Sequence, residues 1–200
     1  MVTKIITALL IFCYVALAHA AYEPAITFKK YIKTITVHKD GTSEDVTEAL
    51  NRIETQKGVD ALSQSDFTYV KSMDSVEIID GYSISPSGTK IKTKKGDIRE
   101  RDDSIDRGAD MFSDTKHKII VYPEIGIGSE IYYKIKQKQF KTKFKNHFTF
   151  SEVTYPYFKY DYEEINFIVD KGITLNFASK GFEGGLVKET TTQKFYKYTY

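Results

Sequence analysis

Cysteine and tryptophan are nearly absent from this sequence, whose 200 residues contain one cysteine, Cys13, and no tryptophan. Because Cys13 lies in an apolar run at the N-terminus, the chain beyond it has no thiol. That chain can form no disulfide and can supply no cysteine nucleophile for covalent catalysis. Its stability must therefore come from buried apolar area alone, even in an oxidising compartment.

The chain also has little net charge. Lysine and arginine number 29 and aspartate and glutamate 27, which gives a formal net charge of +2. Nucleic-acid-binding domains usually carry a strong basic excess, so this balance predicts no nucleic-acid partner. Long apolar runs are scarce as well, since the one in this sequence lies at the N-terminus.

The N-terminal apolar run has the features of a secretory signal peptide. Lys4 precedes an apolar stretch over residues 5–18, and the small residues Ala18 and Ala20 end it. This pattern predicts cleavage after Ala20. The run is shorter than the roughly 20 apolar residues of a membrane-spanning helix. We therefore predict a signal peptide over residues 1–20, an exported protein in the periplasm or outside the cell, and no membrane span after cleavage.

Residues 21–200 match the usual length of one domain with a substantial core. Isoleucine, valine, threonine, tyrosine and phenylalanine alternate with polar residues, which favours strands with one buried face. The strand-like segments are residues 26–38, 65–70, 75–85, 117–122, 131–136, 164–169, 173–179 and 195–200. Several strands joined by short turns predict a mainly β fold, an antiparallel β-sandwich with one short helix.

One segment, residues 42–58, has the pattern of a helix. Thr42 or Ser43 can cap its N-terminus, and Gly58 provides a stop. Its apolar residues fall on one helical face, namely Val46, Ala49, Leu50 and Ile53. We therefore predict that the helix of the domain lies here.

Two other segments depart from simple alternation. Residues 92–110 are rich in charges of both signs and poor in apolar residues, which predicts a long exposed loop. Around residues 137–139 the apolar positions change from odd to even numbers. Either a one-residue bulge or a turn at this point would keep one face buried.

Two aromatic runs are candidate contact surfaces. Residues 132–150 alternate lysine with aromatic side chains, which would suit single-stranded nucleic acid, an anionic glycan or a lipid surface. The low net charge favours an ordinary amphipathic strand there, with phenylalanine inward and lysine outward. Farther along, tyrosines surround Pro156 at positions Tyr155, Tyr157, Tyr160 and Tyr162. We predict that these tyrosines form a docking or ligand face, and an interface with a second domain is the favoured interpretation.

Candidate catalytic groups are few. His38, His117 and His147 are far apart and show no metal-binding spacing. Surface histidine is the favoured interpretation, and a metal-dependent hydrolase built on His117 and His147 is the least favoured hypothesis. No cofactor-binding motif and no catalytic triad pattern is present in the sequence. We predict no metal, no cofactor and no catalytic residue in this chain.

Ordered motifs across most of the chain resemble the DUF3857 family, the N-terminal domain of bacterial exported transglutaminase-like proteins. The resemblance runs from about residue 37 to residue 185, and residues 111–135 are its most specific stretch. The other matching motifs are residues 40–42, 49–69, 76–91, 146–157 and 181–185. The resemblance implies an immunoglobulin-like β-sandwich followed by a papain-like transglutaminase-type domain, and it supplies no binding residues.

Two functions follow from these observations. The leading hypothesis is a non-catalytic exported module that docks to, or presents substrate to, a transglutaminase-like or peptidase-like domain encoded downstream. The alternative is a free-standing module that binds a glycan or a peptide of the cell envelope. Both assign contact rather than bond-making to residues 21–200.

Overall fold

The computed structural model describes residues 22–103, 114–155 and 158–200. The predicted signal peptide, the second half of the charged segment and Tyr157 lie outside these ranges. None of the helices in the described ranges is both long enough and apolar enough to cross a membrane.

The described chain forms twelve strands and one short helix, which confirms the prediction of a mainly β fold. The strands are β1 (Ile26–Val37), β2 (Ser43–Ile53), β3 (Gln64–Val70), β4 (Asp74–Ile84), β5 (Lys90–Lys92), β6 (Ile98–Asp102), β7 (Thr115–Val121), β8 (Glu130–Gln139), β9 (Lys159–Tyr160), β10 (Glu163–Asp170), β11 (Glu183–Glu189) and β12 (Gln193–Thr199). Helix α1 spans Gln56–Leu62, and a 3-10 turn spans Lys95–Asp97.

The strands form two sheets. The large sheet has the order β11-β12-β10-β1-β2-β8-β4-β5, with the short β9 beside β1, and the small sheet has the order β3-β7-β6. Neighbouring strands are antiparallel, except that β1 is parallel to β10 and to β9. The antiparallel-rich sheets are consistent with the predicted β-sandwich.

One face of the large sheet carries both hydrophobic clusters of the domain. The first core cluster consists of Ile35, Val37, Ile165, Phe167 and Val169, from β1 and β10. The second core cluster consists of Ile53, Ile120, Tyr122 and Ile131. The small sheet and α1 cover the second cluster, with Phe67 and Val59 among the packed residues. Irregular segments cover the first cluster through side chains such as Phe150 and Leu175.

The prediction of a helix over residues 42–58 is wrong. Most of this segment is strand β2, which pairs with β1 on one side and β8 on the other, and the helix begins only at Gln56. The two-residue period of the strand buries Ala49 and Ile53 and places Leu50 on the opposite face. Two ladders of backbone hydrogen bonds in the middle of a sheet override the local helical pattern.

The prediction for residues 92–110 is wrong in its first half, because β6 occupies Ile98–Asp102 and pairs with β7. Its charged side chains pair across the small sheet, since Arg101 lies 3.2 Å from Asp66 and Lys118 lies 3.5 Å from Glu100. Alternating charges thus replace alternating apolar residues on this strand.

The parity change at residues 137–139 falls on the last paired residues of strand β8, where neither a bulge in β8 nor a turn occurs. Strand β8 runs to Gln139, and the chain then leaves the sheet in a segment of turns. The expected strand over residues 173–179 is absent, although these residues are described, and its apolar side chains pack on the first core cluster from an irregular segment. Strand β11 was not predicted, because Gly184 and Gly185 weaken the strand pattern.

The connection between β1 and β2 contacts the segment after β8. Gly41 has a φ of +84°, and a Cβ atom there would lie 2.7 Å from the backbone nitrogen of His147. Asn146 donates a backbone hydrogen bond of 3.2 Å to the carbonyl oxygen of Asp40. Glycine is therefore required both by the backbone conformation and by the close approach of the second segment.

Candidate functional site

A set of polar side chains interrupts the inner face of the large sheet between the two core clusters. We call this set the polar strip, and its members are Tyr31, Lys33, Asp45, Asn51, Tyr133, Glu152 and Glu163. The strand register explains the placement, because Tyr31 of β1 pairs with Ala49 of β2 on one side and Glu163 of β10 on the other. Ala49 in turn pairs with Tyr133 of β8, so four strands contribute to one row.

Lys33 carries the positive charge of the polar strip. Its Nζ atom lies 3.5 Å from Oε2 of Glu152 and 5.4 Å from the ring centroid of Phe150. The side chains of Lys33 and Glu152 are 21% and 25% exposed, so this ion pair is only partly accessible to water. Phe150 packs on the first core cluster, which places the lysine at the boundary between the apolar core and the strip.

Burial shifts the acid–base behaviour of the strip. It raises the pKa of Glu163, against a hydrogen bond of 3.0 Å that Thr154 donates to this carboxylate. Burial also raises the pKa of Asp45, although the charge of Lys33 opposes the shift. The pKa of Tyr133 is raised by burial to about 12. The tyrosine hydroxyl therefore keeps its proton at neutral pH and can donate a hydrogen bond.

The raised pKa of Glu163 predicts a pH-dependent stability. As the pH rises above the ordinary pKa of glutamate, the unfolded chain loses its proton before the folded chain does. The free energy of unfolding then falls until the pH exceeds the folded pKa. We expect Glu163→Gln to remove this fall and to raise stability at neutral pH, as measured by urea denaturation across about pH 4 to 8.

The neighbouring Glu164 provides a matched control of opposite sign. Burial tends to raise its pKa, but hydrogen bonds from Lys197, Tyr162 and Asn166 outweigh this effect and lower the pKa to about 2. Its stabilising contribution is present above the ordinary glutamate pKa and is lost as the pH falls towards 2. Glu164→Gln should thus lower stability at neutral pH. Equal effects of the two substitutions would contradict the assignment.

Asn51 carries a buried acceptor without a protein partner. The residue is 2% exposed, and no described group donates a hydrogen bond to its Oδ1 atom. Buried polar atoms are nearly always hydrogen-bonded in folded proteins. The strip thus combines a buried acceptor that has no partner among the described groups, protonated tyrosine hydroxyls, and carboxylates, which are groups that bind hydroxyl and amide groups.

The described residues contain no group of three metal-ligating side chains. His117 lies on the small sheet, where Nδ1 is 2.8 Å from Oδ1 of Asp66. His147 lies in the segment after β8, next to the ring of Phe144 at a centroid distance of 6.3 Å. His38 lies in the connection between β1 and β2 and is exposed. The histidines thus occupy three separate structural elements.

An aromatic cluster lies at the end of the large sheet where β1 begins and β12 ends. We call it the aromatic end cluster, and its members are Phe28, Tyr155, Phe158, Tyr160, Phe182 and Tyr200. Tyr160 stacks on Phe28 at 4.8 Å, and Phe158 contacts the same ring edge-on at 5.5 Å. Tyr200 contacts Tyr160 at 5.8 Å and Phe182 at 5.4 Å.

The structure divides the four predicted tyrosines. Tyr155 and Tyr160 belong to the aromatic end cluster, and Tyr155 contacts Phe158 at 6.3 Å. Tyr162 instead donates a short hydrogen bond to Glu164, which is also paired with Lys197. Tyr157 lies outside the described residues. Tyr155 and Tyr200 are 46% and 52% exposed, so the cluster presents aromatic surface to solvent.

The aromatic end cluster and the polar strip adjoin each other. Thr154, which donates to Glu163, precedes Tyr155 in the chain. The backbone nitrogen of Tyr200 donates a hydrogen bond of 3.1 Å to the carbonyl oxygen of Glu163. An apolar, exposed patch therefore borders a half-buried polar one, an arrangement common in binding sites.

Sequence reasoning identified part of the aromatic end cluster and missed the polar strip. The sequence contains a signal for the polar strip. Lys33 lies two residues before the buried Ile35 and four before the buried Val37, so all three side chains fall on the same face of β1. On β2, Asp45 and Asn51 share the alternation of the buried Ile53. A helical interpretation of this segment hides the second pattern, since strand parity is meaningless on a helix.

Comparison with one solved structure supports the fold. A crystal structure of a candidate protease from Parabacteroides distasonis superposes with a TM-score of 0.73 at 16% sequence identity. The match covers 88% of this chain but 35% of that protein, so this chain spans about a third of its length. A CBM3a-L domain from the scaffoldin CipA of Clostridium thermocellum gives a TM-score of 0.33 at 10% identity, over 66% of this chain and 79% of that domain. No curated protein sequence matches.

Comparison with protein families gives one match over most of the chain. The matching family model is DUF3857, a domain of unknown function with a solved structure, and it covers residues 39–200. This range contains strands β2 to β12, the whole second core cluster, part of the first core cluster, and most of the polar strip. It confirms the resemblance drawn from the sequence motifs. The chain belongs to the DUF3857 family.

Proposed function

We propose that this domain is a non-catalytic module of an exported protein, which holds a ligand in the polar strip and docks a second domain through the aromatic end cluster. The observation that carries the proposal is the adjacency of the two surfaces at Thr154, Tyr155, Glu163 and Tyr200. A ligand held in the strip would lie at the edge of the docked domain. This arrangement would present a substrate to a catalytic partner.

The chemistry of the aromatic end cluster supports docking. Tyrosine combines a large apolar ring with a polar hydroxyl, and it is enriched at protein interfaces. Tyr155 and Tyr200 are about half exposed; the ring of Phe158 contacts Tyr155, and the ring of Tyr160 contacts Tyr200. A domain joined to the chain after Tyr200 would emerge directly beside this surface. A short linker between the two domains would raise the effective concentration of each surface for the other.

The proposed partner is a transglutaminase-like or peptidase-like domain encoded downstream. Family resemblance supports this choice, and so does the similar fold of part of a longer candidate protease from Parabacteroides distasonis. The partner would have to supply any cysteine nucleophile, because residues 14–200 contain no cysteine. Residues 21–200 would then contribute contact and orientation rather than covalent chemistry.

Binding of the downstream domain tests the docking surface. We expect the domain, expressed separately, to bind residues 21–200, and the double substitution Tyr155→Ala and Tyr200→Ala to weaken binding at least about tenfold in calorimetry. Phe140→Ala is the matched control, because Phe140 is 49% exposed and lies at the other end of the sheet. Unchanged affinity in the double variant would refute this surface. Acyl transfer or proteolysis by residues 21–200 alone would refute the non-catalytic role.

A free-standing ligand-binding module is the second candidate. The unpaired Oδ1 of Asn51 and the protonated hydroxyl of Tyr133 favour it, because they offer an acceptor and a donor to a glycan or peptide. This candidate predicts that residues 21–200 bind cell-envelope oligosaccharides or peptides without any partner. Binding should be lost in Asn51→Leu and kept in the Tyr155→Ala and Tyr200→Ala variant. The reverse pattern would refute it.

A further inference from the structure

Three connections meet at the end of the large sheet opposite the aromatic end cluster. They are the β1–β2 connection (residues 38–42), the β3–β4 connection (residues 71–73) and the segment after β8 (residues 140–147). Phe140 and Lys141 donate backbone hydrogen bonds of 3.0 and 3.1 Å to the carbonyl oxygen of Met73. The backbone hydrogen bond from Asn146 to Asp40 links the segment after β8 to the β1–β2 connection. We call this assembly the basic tip.

The basic tip concentrates positive charge that the whole chain lacks. Residues 131–151 contain six lysines and no aspartate or glutamate. The exposed lysines of the tip are Lys39, Lys71, Lys141, Lys143 and Lys145, and the exposed Lys138 lies beside it at the end of β8. Within the described ranges, no ion pair involves Lys143 or Lys145. Four carboxylates are near. Hydrogen bonds from Thr42 and Ser72 lower the pKa values of Asp40 and Asp114. Asp74 accepts hydrogen bonds from Val70 and Gln137, and Glu44 is paired with Lys136.

Two aromatic rings project among these lysines. Phe140 is 49% exposed and Phe144 is 71% exposed, which makes Phe144 the more accessible ring. The next phenylalanines of the segment, Phe148 and Phe150, are partly buried against the first core cluster. The same run of sequence therefore anchors itself with one pair of rings and exposes the other pair to solvent. Exposed aromatic side chains among lysines suit a binding partner that is both anionic and apolar.

We propose that the basic tip binds the surface of an anionic phospholipid bilayer, with Phe140 and Phe144 inserted between the lipid headgroups and the lysines bound to the phosphates. Lysines near an anionic membrane attract it, and buried aromatic rings add apolar contact. A soluble polyanion without rings, such as polyphosphate, would bind the lysines but would leave both phenylalanine rings in water. The predicted export of the chain disfavours a nucleic acid, whose bases could stack on these rings. A bilayer interface satisfies both groups at the same time.

The geometry keeps this surface separate from the docking surface. Strand β1 begins at the aromatic end cluster and ends at the basic tip, and its 12 residues at about 3.3 Å each span roughly 40 Å. A domain docked at the aromatic end cluster would not cover the tip. The membrane proposal thus stands on different residues from the proposed function and can fail or succeed independently.

Sedimentation with lipid vesicles tests the proposal. The protein should be residues 21–200, because both core clusters are built from residues after position 34 and the apolar N-terminal run would itself bind lipid. We expect binding to vesicles of phosphatidylcholine and phosphatidylglycerol in equal parts. Binding to pure phosphatidylcholine should be much weaker. Added salt should weaken but not abolish binding to the mixed vesicles, because the rings are insensitive to salt.

Two variants separate the contribution of the lysine charges to vesicle binding from that of the phenylalanine rings. Replacing Lys141, Lys143 and Lys145 by glutamine should weaken binding about fivefold for each lysine, roughly a hundredfold in total. Replacing Phe140 and Phe144 by serine should weaken it by at least about tenfold without changing the salt dependence. Lys57, Lys95 and Lys180 replaced by glutamine form the matched control, since these exposed lysines lie outside the tip. Tyr155→Ala is the control for the rings.

Three results would overturn the proposal. The first is an absence of binding to the mixed vesicles at low salt. The second is an equal loss of binding in the control triple variant and in the tip triple variant. The third is binding to an oligonucleotide or a sulfated glycan that depends on the tip lysines, with no effect of the Phe140→Ser and Phe144→Ser substitutions on vesicle binding. That third pattern would identify a soluble polyanion as the ligand.

Discussion

Replacing Ile53 by alanine is expected to lower the free energy of unfolding by about 2–5 kcal/mol. Ile53 is fully buried at the end of β2 and belongs to the second core cluster, together with Ile120 of the small sheet and Ile131 of β8. Truncation of its side chain would leave a cavity where the two sheets and α1 meet. Surrounding strands cannot collapse into that space without breaking their backbone ladders.

Denaturation in urea would measure the effect, and Ile79→Ala is the matched control. Ile79 is 48% exposed on β4, so its truncation should change stability by less than about 0.5 kcal/mol. The comparison also tests strand β2 itself. A similar small effect at both positions would show that Ile53 is not buried between two sheets.

Replacing Phe167 by alanine should lower the free energy of unfolding by about 3–5 kcal/mol. Phe167 lies at the centre of the first core cluster, with ring contacts of 5.4 Å to Phe150, 5.3 Å to Phe177 and 6.4 Å to Tyr198. Two of these partners come from irregular segments rather than strands. The substitution should therefore also loosen the segments that cover β1 and β10.

Hydrogen exchange would reveal this loosening directly. Amide protons over residues 148–150 and 173–177 should exchange faster in Phe167→Ala, beyond the change expected from global stability alone. Phe144→Ala is the control, because this ring is 71% exposed and should contribute little to stability. If Phe167→Ala left the exchange of both segments unchanged, the covering role of these segments would be wrong.

Most strands could be predicted from the sequence, because their alternation is local. Strands β1, β3, β4, β7, β8, β10 and β12 fall on segments with clear two-residue periods. The connection with Pro86 and Gly88 is also a local signal, and Gly88 has the positive φ that such turns need. Pairing partners are not local. No pattern within β1 shows that β10, more than a hundred residues later, lies beside it in parallel.

The error at β2 had the largest consequence for the site. Val46, Ala49, Leu50 and Ile53 fit both a helical face and an irregular strand, and residues 44–45 suit a helix N-terminus. Only the neighbouring strands β1 and β8 decide between the two, by pairing with β2 along its whole length. Once β2 is a strand, the positions of Asp45 and Asn51 on the buried face follow from parity, and with them the polar strip.

The sequence could predict that the aromatic run forms a surface, but it could not predict how the side chains of that surface are arranged. Its tyrosines are close in sequence, yet Tyr160 at the end of β9 stacks on Phe28, whereas Tyr162 just before β10 donates a hydrogen bond to Glu164. The partners that complete the aromatic end cluster are Phe28 and Tyr200, from the first and last strands and their ends. Long-range contacts of this kind depend on sheet order, which the sequence of a single chain does not display.

The two proposed surfaces give the domain two ends with different chemistry. The aromatic end cluster would meet protein, and the basic tip would meet lipid. Between them, the polar strip, which includes Glu163, lies on the inner face of the large sheet. An exported module of this form would hold a catalytic partner near a membrane surface, with a ligand site between the two.

Hydrogen–deuterium exchange on residues 21–200, with and without the downstream domain, tests the contact role most directly. We predict slower exchange over residues 158–163 and 193–200 in the complex, and no change over residues 140–147. Slower exchange confined to β2 and β8, or a complex that leaves the aromatic end cluster unprotected, would contradict the proposed contact role.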